Sequence, residues 1–449
     1  MSRAHRVLYN DGLVSLRGGV RVLLAAGVAW IAPGAAAPEA LDLAYWEKWT
    51  LFEGEAMKAV VEDFNQIHKD RLHVRYLPVS NVEQKVLVAT AGGDPPDIAG
   101  LYDAQVVSYA DKNALLPLDD YLAQAGISAS DFIPVFWNEC VFRGHVWALP
   151  TTPATIALHW NKAMFRAAGL DPERPPRSIA ELDEMADRLT IKDKGGHIVQ
   201  MGFIPWEPGW WNWAWGRFFG GRMWDGESKI TCDEPEFIEA MRWIQSYGRK
   251  YGKDQLQVFT SGFGNFASPQ NAFMAGKVAM EIQGVWMYNF IRQYAPKMEW
   301  GAAPFPVAKP ELYGMSDADL DVIAIPRDAR HPDESFEFIK YVVSQPAMEK
   351  LCMGHRKFSP LSKVSPEFWN NHPHPYIKLF DAEARNPLTF ALPHLTIWQE
   401  YSEELNVAFQ KVYLLEATPE AALAEVKARM QKRLDRELRR FKRLGLSPT

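Results

Sequence analysis

Residues 41–102 read LDLAYWEKWTLFEGEAMKAVVEDFNQIHKDRLHVRYLPVSNVEQKVLVATAGGDPPDIAGLY. Leu41–Tyr45, Leu72–Leu77 and Asp97–Leu101 are short apolar runs of strand length. Between the first two, Glu53–His68 places Met57, Val60, Val61 and Phe64 on one face of a helix. Asn81–Ala91 reads as a second helix that Asn81 can cap, with Glu83 in its first turn. Gly92-Gly93-Asp94-Pro95-Pro96 breaks it. Strands alternating with helices predict parallel β-α-β units and an α/β fold. Ligands of such sheets gather at the carboxyl ends of the strands. Three loops are thereby picked out: Trp46–Trp49, Ser80–Asn81 and Tyr102–Gln105.

Downstream, Val146–Leu149 and Thr155–Trp160 read as two strands separated by Pro150-Thr151-Thr152-Pro153, and the prolines suit a crossing between lobes. Trp206–Gly221, WEPGWWNWAWGRFFGG, follows. Pro208-Gly209 is a turn signal after which a helix can start. On that helix Trp211, Trp215 and Phe218 share one face, and Trp210, Trp213 and Arg217 another. Aromatics are mostly buried, so all five tryptophans can be core. Alternatively Trp206, Trp210 or Trp211 line a cleft, where flat indole faces suit the C–H faces of sugar rings. Strands are expected at Lys277–Ile282, Glu299–Ala302 and Val322–Ile325, and helices at Pro235–Tyr251, Pro332–Ser344 and Pro419–Leu444.

The chain has 449 residues, 47% hydrophobic and 23% charged, an ordinary globular composition. Residues 1–37 differ. Arg3, Arg6, Arg17 and Arg21 precede the uncharged run Val22–Ala32 and a small-residue site ending at Ala37, the pattern of a secretory signal. This predicts a periplasmic or otherwise extracytoplasmic protein. Losing those four arginines and Asp11 takes the formal charge from −6 to −9, against a nucleic-acid partner. The arginines and lysines near the C-terminus interleave with Asp435 and Glu437, as on a solvated helix face. Cys140, Cys232 and Cys352 form no CxxC pair. Asp317, Asp319 and Asp321 resemble the start of a calcium loop but lack its glycine and distal glutamate. No metal or cofactor is expected.

The set GGDPPDI (92–98), LLPLDDYL (115–122), GHVWALP with LHWNKAMFRAAGL (144–170), AFMAGKVAMEIQGVW (272–286), VIAIPRDARHPDESFEFIKYVVS (322–344) and GHRKFSPL (354–361) resembles the extracellular solute-binding proteins of carbohydrate ABC importers, the group that includes the maltodextrin-binding proteins. Each motif is weak alone, but the ordered set covers nearly the whole chain after the leader. The resemblance implies a two-lobe periplasmic-binding-protein fold, each lobe a sheet flanked by helices. Lobes of 38–152 plus 284–325 and of 153–283 plus 326–449 are implied, joined by three crossings near Pro150–Thr155, Ile282–Gly284 and Ile323–Pro326. It further implies a sugar bound between closing lobes, a monomer, and membrane permease subunits as partners. Carried over by position, the binding residues are Trp46, Glu47, Trp49, Tyr102, Asp103, Thr152, Thr155, Trp206, Trp210, Trp211, Gln283, Gly284, Trp286, Arg356 and Trp398. Ala154, Leu101 and Ala104 depart from the maltodextrin pattern.

Read for themselves, Glu47 is either a bidentate acceptor of sugar hydroxyls or an exposed loop charge. Asp103 either binds ligand or caps the next helix. Asp319, at a strand edge, can contact ligand, and Gly284 lets a group approach the backbone closely. A secreted glycosidase is the reading from another class, but no acid–nucleophile pair, GxSxG, HExxH or Walker motif marks one. Glycerol phosphate or another polar solute is the alternative ligand.

Overall fold

Seven strands form the main sheet: β1 (Leu41–Glu47), β2 (Leu72–Pro78), β3 (Ile98–Tyr102), β4 (Leu149–Asn161), β5 (Met280–Gly284), β6 (Trp300–Ala303) and β7 (Ala318–Ala324). Their order is β6-β4-β7-β3-β1-β2, with β5 also paired to β4. The computed structural model describes residues 40–209 and 211–447. The leader expected at 1–37 and Trp210 lie outside them. β1 pairs in parallel with β2 and β3, as the opening stretch predicts. Helices α1 (Leu51–Ile67), α2 (Val82–Ala91) and α3 (Asp103–Asp111) complete the β-α-β units. Asn81 does not cap α2: its backbone is left-handed and its side chain makes no capping bond.

Two hydrophobic cores lie within one compact unit beginning at Ala40. The first gathers β1–β3, α1 and β7. The second gathers the far half of β4, β5, and helices Pro235–Tyr251, Trp398–Tyr413 and Pro419–Leu444. β4 belongs to both. Its near half pairs with β7, from Leu149↔Ile323 to Thr155↔Ala318, and its far half with β5 and β6. The predicted break at Pro150–Pro153 is therefore one continuous strand. Pro150 and Pro153 fall where β7 is the only neighbour, beside a register shift at Leu320/Val322, so their missing N–H groups interrupt no second ladder.

The late boundary also differs from expectation. Ile323 and Ile325 are fully buried in the first core, and Leu116 N donates to Ile325 O. Helices Pro332–Val342 and Gln345–His355 join the same core, with Phe338 packed on Tyr45 and Phe64. The chain leaves that core between Ala384 and Phe390 instead of at Ile323–Pro326. The apolar face of 332–342 selects the sheet of β1 as its partner because Tyr45 and Phe64 offer complementary rings.

The tryptophan stretch is not one amphipathic helix. It forms a 3-10 turn at Asn212–Ala214 and a single helical turn at Trp215–Phe218. Without a long helix there is no outward face, and Trp211, Trp213 and Trp215 are all buried in the second core. Trp215 meets Trp243 at 5.2 Å and Phe305 at 5.3 Å, and Trp213 meets Trp398 at 5.1 Å. Among the described residues no helix is long and apolar enough to cross a membrane.

Candidate functional site

A cavity of about 480 Å³ opens between the two cores at the carboxyl ends of β1 and β3. It is lined from the first core by Trp49, Glu53, Tyr102, Thr152, Asp321 and Lys357, and further by Phe266, Trp286 and Phe290. Asp103, Ala154, Asp319 and Leu320 complete the lining. Of the residues picked out from sequence, Trp49, Tyr102, Asp103, Thr152, Trp286 and Asp319 come together here.

The aromatic walls are built locally. Trp49 lies edge-on to His355 at 4.5 Å, and Tyr102 remains 46% exposed at the mouth. Trp286 packs against both cores, stacked on Trp211 at 6.0 Å, with Phe266 edge-on at 6.3 Å. A Cβ on Gly284 would lie 2.4 Å from the Trp286 ring, so the close approach expected at this glycine is made by the cavity wall itself.

The polar floor centres on Asp321. Lys48 Nζ lies 3.1 Å from Oδ1, and Lys357 Nζ 3.1 Å from Oδ2. Thr152 Oγ1 donates to Oδ2 at 2.7 Å. Despite burial, which opposes the charged form, Lys357, Lys48 and these donors hold the Asp321 carboxyl well below the usual range. Asp319 is the opposite case. Burial and then the neighbouring Asp321 charge raise it to about 6, while Trp211 donates to it. Asp103 is raised first by burial and then by Glu139 and Asp319. Its Oδ1 accepts from Ala104 N at 2.7 Å and its Oδ2 from Leu320 N at 3.1 Å, so it pins α3 to β7 without being the helix cap.

The other sequence-derived residues are used within the protein. Glu47, 1% exposed, is a buried group and not an exposed loop charge. It accepts from Tyr45 Oη at 2.6 Å and Lys48 N at 2.7 Å. Gly100 makes room for it, since a Cβ there would strike the carboxylate. Thr155 Oγ1 donates to Phe380 O, and Gln283 Nε2 to Glu281 Oε1. Trp46 packs on the first core, and Trp206 stacks on Tyr413 at 4.6 Å. Arg356 donates to Asn289 Oδ1 and covers Phe52. Trp398 lines a separate cavity of about 460 Å³ together with His394 and Asp103. Lys357, Asp321, Glu53, Phe266 and Phe290 were missed. Only Asp321 had a signal: residues 317, 319 and 321 alternate as one face of a strand. All three cysteines are free and buried.

Two α/β cores sharing one strand, with a cavity between them, define a two-lobe binding protein of the periplasmic class. Residues 49–349 match the model of the bacterial extracellular solute-binding protein family, and the chain belongs to that family. It is 25% identical over 305 residues to the sn-glycerol-3-phosphate-binding periplasmic protein UgpB of Pectobacterium atrosepticum, a match spanning 63% of this chain and 64% of that relative's length. It superposes on CpMnBP1 solved with mannotriose bound, at TM-score 0.74 and 29% identity, covering 86% of this chain and 99% of that one. The sugar-binding protein MalE of Xanthomonas citri shares the fold, at TM-score 0.70 and 19% identity, covering 90% and 99%. The family and these structures are binding proteins.

Proposed function

We propose that this chain is the extracytoplasmic binding component of an ABC importer, that it captures an oligosaccharide between its two lobes, and that it delivers the sugar to membrane permease subunits as a monomer. One observation carries the sugar reading: the rings of Trp49, Tyr102, Phe266, Trp286 and Phe290 line a cavity whose floor is a hydrogen-bonded polar cluster. Ring faces take the apolar C–H faces of a sugar, and Thr152, Lys357 and Glu53 suit its hydroxyls. Trp49, Tyr102, Asp103, Thr152, Trp286 and Asp319 are the proposed contacts among those read from sequence. The likeness to CpMnBP1 makes short manno-oligosaccharides the first to try. The leader at 1–37 exports the chain, and N-terminal sequencing of secreted protein that finds Met1 intact removes that part.

Trp49 belongs to the first core and Trp286 packs against both, so a sugar touching both rings gains contacts as the lobes meet, and this differential contact favours a closed form. A melting-shift screen over neutral saccharides tests the reading. A shift without product formation supports binding; turnover supports a glycosidase; no shift with any saccharide sinks the proposal.

A further inference from the structure

We propose that Asp321 makes this cavity selective for uncharged ligands, by committing to itself the ammonium groups that would otherwise receive a phosphate or carboxylate. The inference rests on the binding reading above and names the ligand class for that site. It decides between the two kinds of relative, one named for glycerol phosphate and one solved with a neutral trisaccharide.

Among the described residues lining the cavity, Lys357 is the one cation, against the carboxyl groups of Glu53, Asp103, Asp319 and Asp321. Lys357 is bound: its Nζ lies 3.1 Å from Asp321 Oδ2 and 3.4 Å from Thr152 Oγ1. A second ammonium, Lys48, stands behind the rings of Trp49 and Tyr102, 4.8 and 4.5 Å from their centroids. All three of its donors are used, on Glu47 Oε1, Leu101 O and Asp321 Oδ1. Both lysines and Asp321 are nearly enclosed, so these pairs are weakly screened, and separating one exposes an uncompensated buried charge.

The backbone offers an anion nothing better. Helix N-termini at strand ends are the usual place for a phosphate. Here α3 begins with Asp103, whose carboxylate already takes the Ala104 N–H, while Gln105 caps the N–H of Tyr102. α1 carries Glu53 in its first turn, itself part of the lining. A phosphate monoester would bring about −1.5 to −2 charges against these carboxyls. A hydroxyl brings none, and it can still accept the remaining Lys357 N–H or donate to Glu53. Selectivity of this kind works by repelling the wrong ligand as much as by attracting the right one.

The test titrates the full folded chain with mannotriose, sn-glycerol 3-phosphate and inorganic phosphate, by calorimetry and melting shift. Native protein is expected to ignore both anions, alone and in competition with the trisaccharide. Asp321→Asn, which removes the charge that both lysines pair with and frees Lys357 for a ligand, is expected to bind glycerol phosphate at least roughly tenfold tighter than native. Adding Lys357→Met to Asp321→Asn is expected to remove that gain, which general loosening of the fold would not do. Anion binding by the native chain overturns the proposal. So does a folded Asp321→Asn variant without the gain, or a gain that survives in the double variant. Should Asp321→Asn not fold, the native arm decides alone. A native chain that binds no neutral saccharide ends the sugar reading but leaves the anion comparison between native and Asp321→Asn intact.

Discussion

The tryptophan stretch at 206–219 and the aspartate triplet at 317–321 exchange the roles their compositions suggest. The first is the most conspicuous aromatic run in the chain, and it is mostly wall material for the second core. The second is an alternation of acids that reads at most as the start of a metal loop, and two of its three members line the cavity. Aromatic residues are drawn inward by their area, so density of rings marks burial before it marks a site. Buried charge costs energy unless it is paired, so carboxylates kept inside point to a task or a network.

The comparison can be broken at several strengths. The largest effect should come from Trp215→Ala, which empties a site between Trp243, Phe305 and Phe203 and is expected to cost about 3–5 kcal/mol in urea unfolding. A loss under about 1 kcal/mol would mean that the stretch is not core after all. Next, Trp286→Ala is expected to cost roughly 2–4 kcal/mol of saccharide affinity by calorimetry, as buried aromatic anchors do. Unchanged affinity would move the ligand away from this wall.

A smaller effect concerns pH. Asp319 is raised from 3.8 to about 6 in the folded state, first by burial. Between those values the folded state holds the extra proton, so the group's favourable contribution is complete below about pH 4 and lost as pH rises through about 6. Asp319→Asn keeps an oxygen for Trp211 without the charge. Because Asp319 retains some exposure, a stabilisation of only about 1–2 kcal/mol near pH 8, and none near pH 4, is expected in pH-resolved melting. The opposite pH trend would deny that the fold raises this carboxyl. The smallest effect sets the floor: Arg242→Ala removes the exposed pair with Glu420 and is expected to change stability by less than about 1 kcal/mol.

What was legible in the sequence was local and periodic. β1 to β3 with α1 and α2 follow from alternation and helical spacing, and helix Pro419–Leu444 was bounded by its proline and apolar period. The continuous β4 was hidden because proline reads as a breaker, and only a missing second neighbour makes it harmless. Lys48 sat inside a loop already singled out, yet a lysine ordinarily reads as exposed. Lys357, Phe266 and Phe290 carry no local pattern, and the folding of distant segments alone brings them to Thr152 and Trp286.

Gly284 sets the width of the cavity from behind. The Trp286 ring can stand where it does because the strand beneath it lacks a methyl group, which would sit 2.4 Å from the indole. A change of one carbon at Gly284, which is not among the lining residues, would therefore displace the Trp286 wall and reshape the opening. Preference for bulkier or slimmer ligands can then be retuned in evolution, or in the laboratory, without altering any contacting side chain.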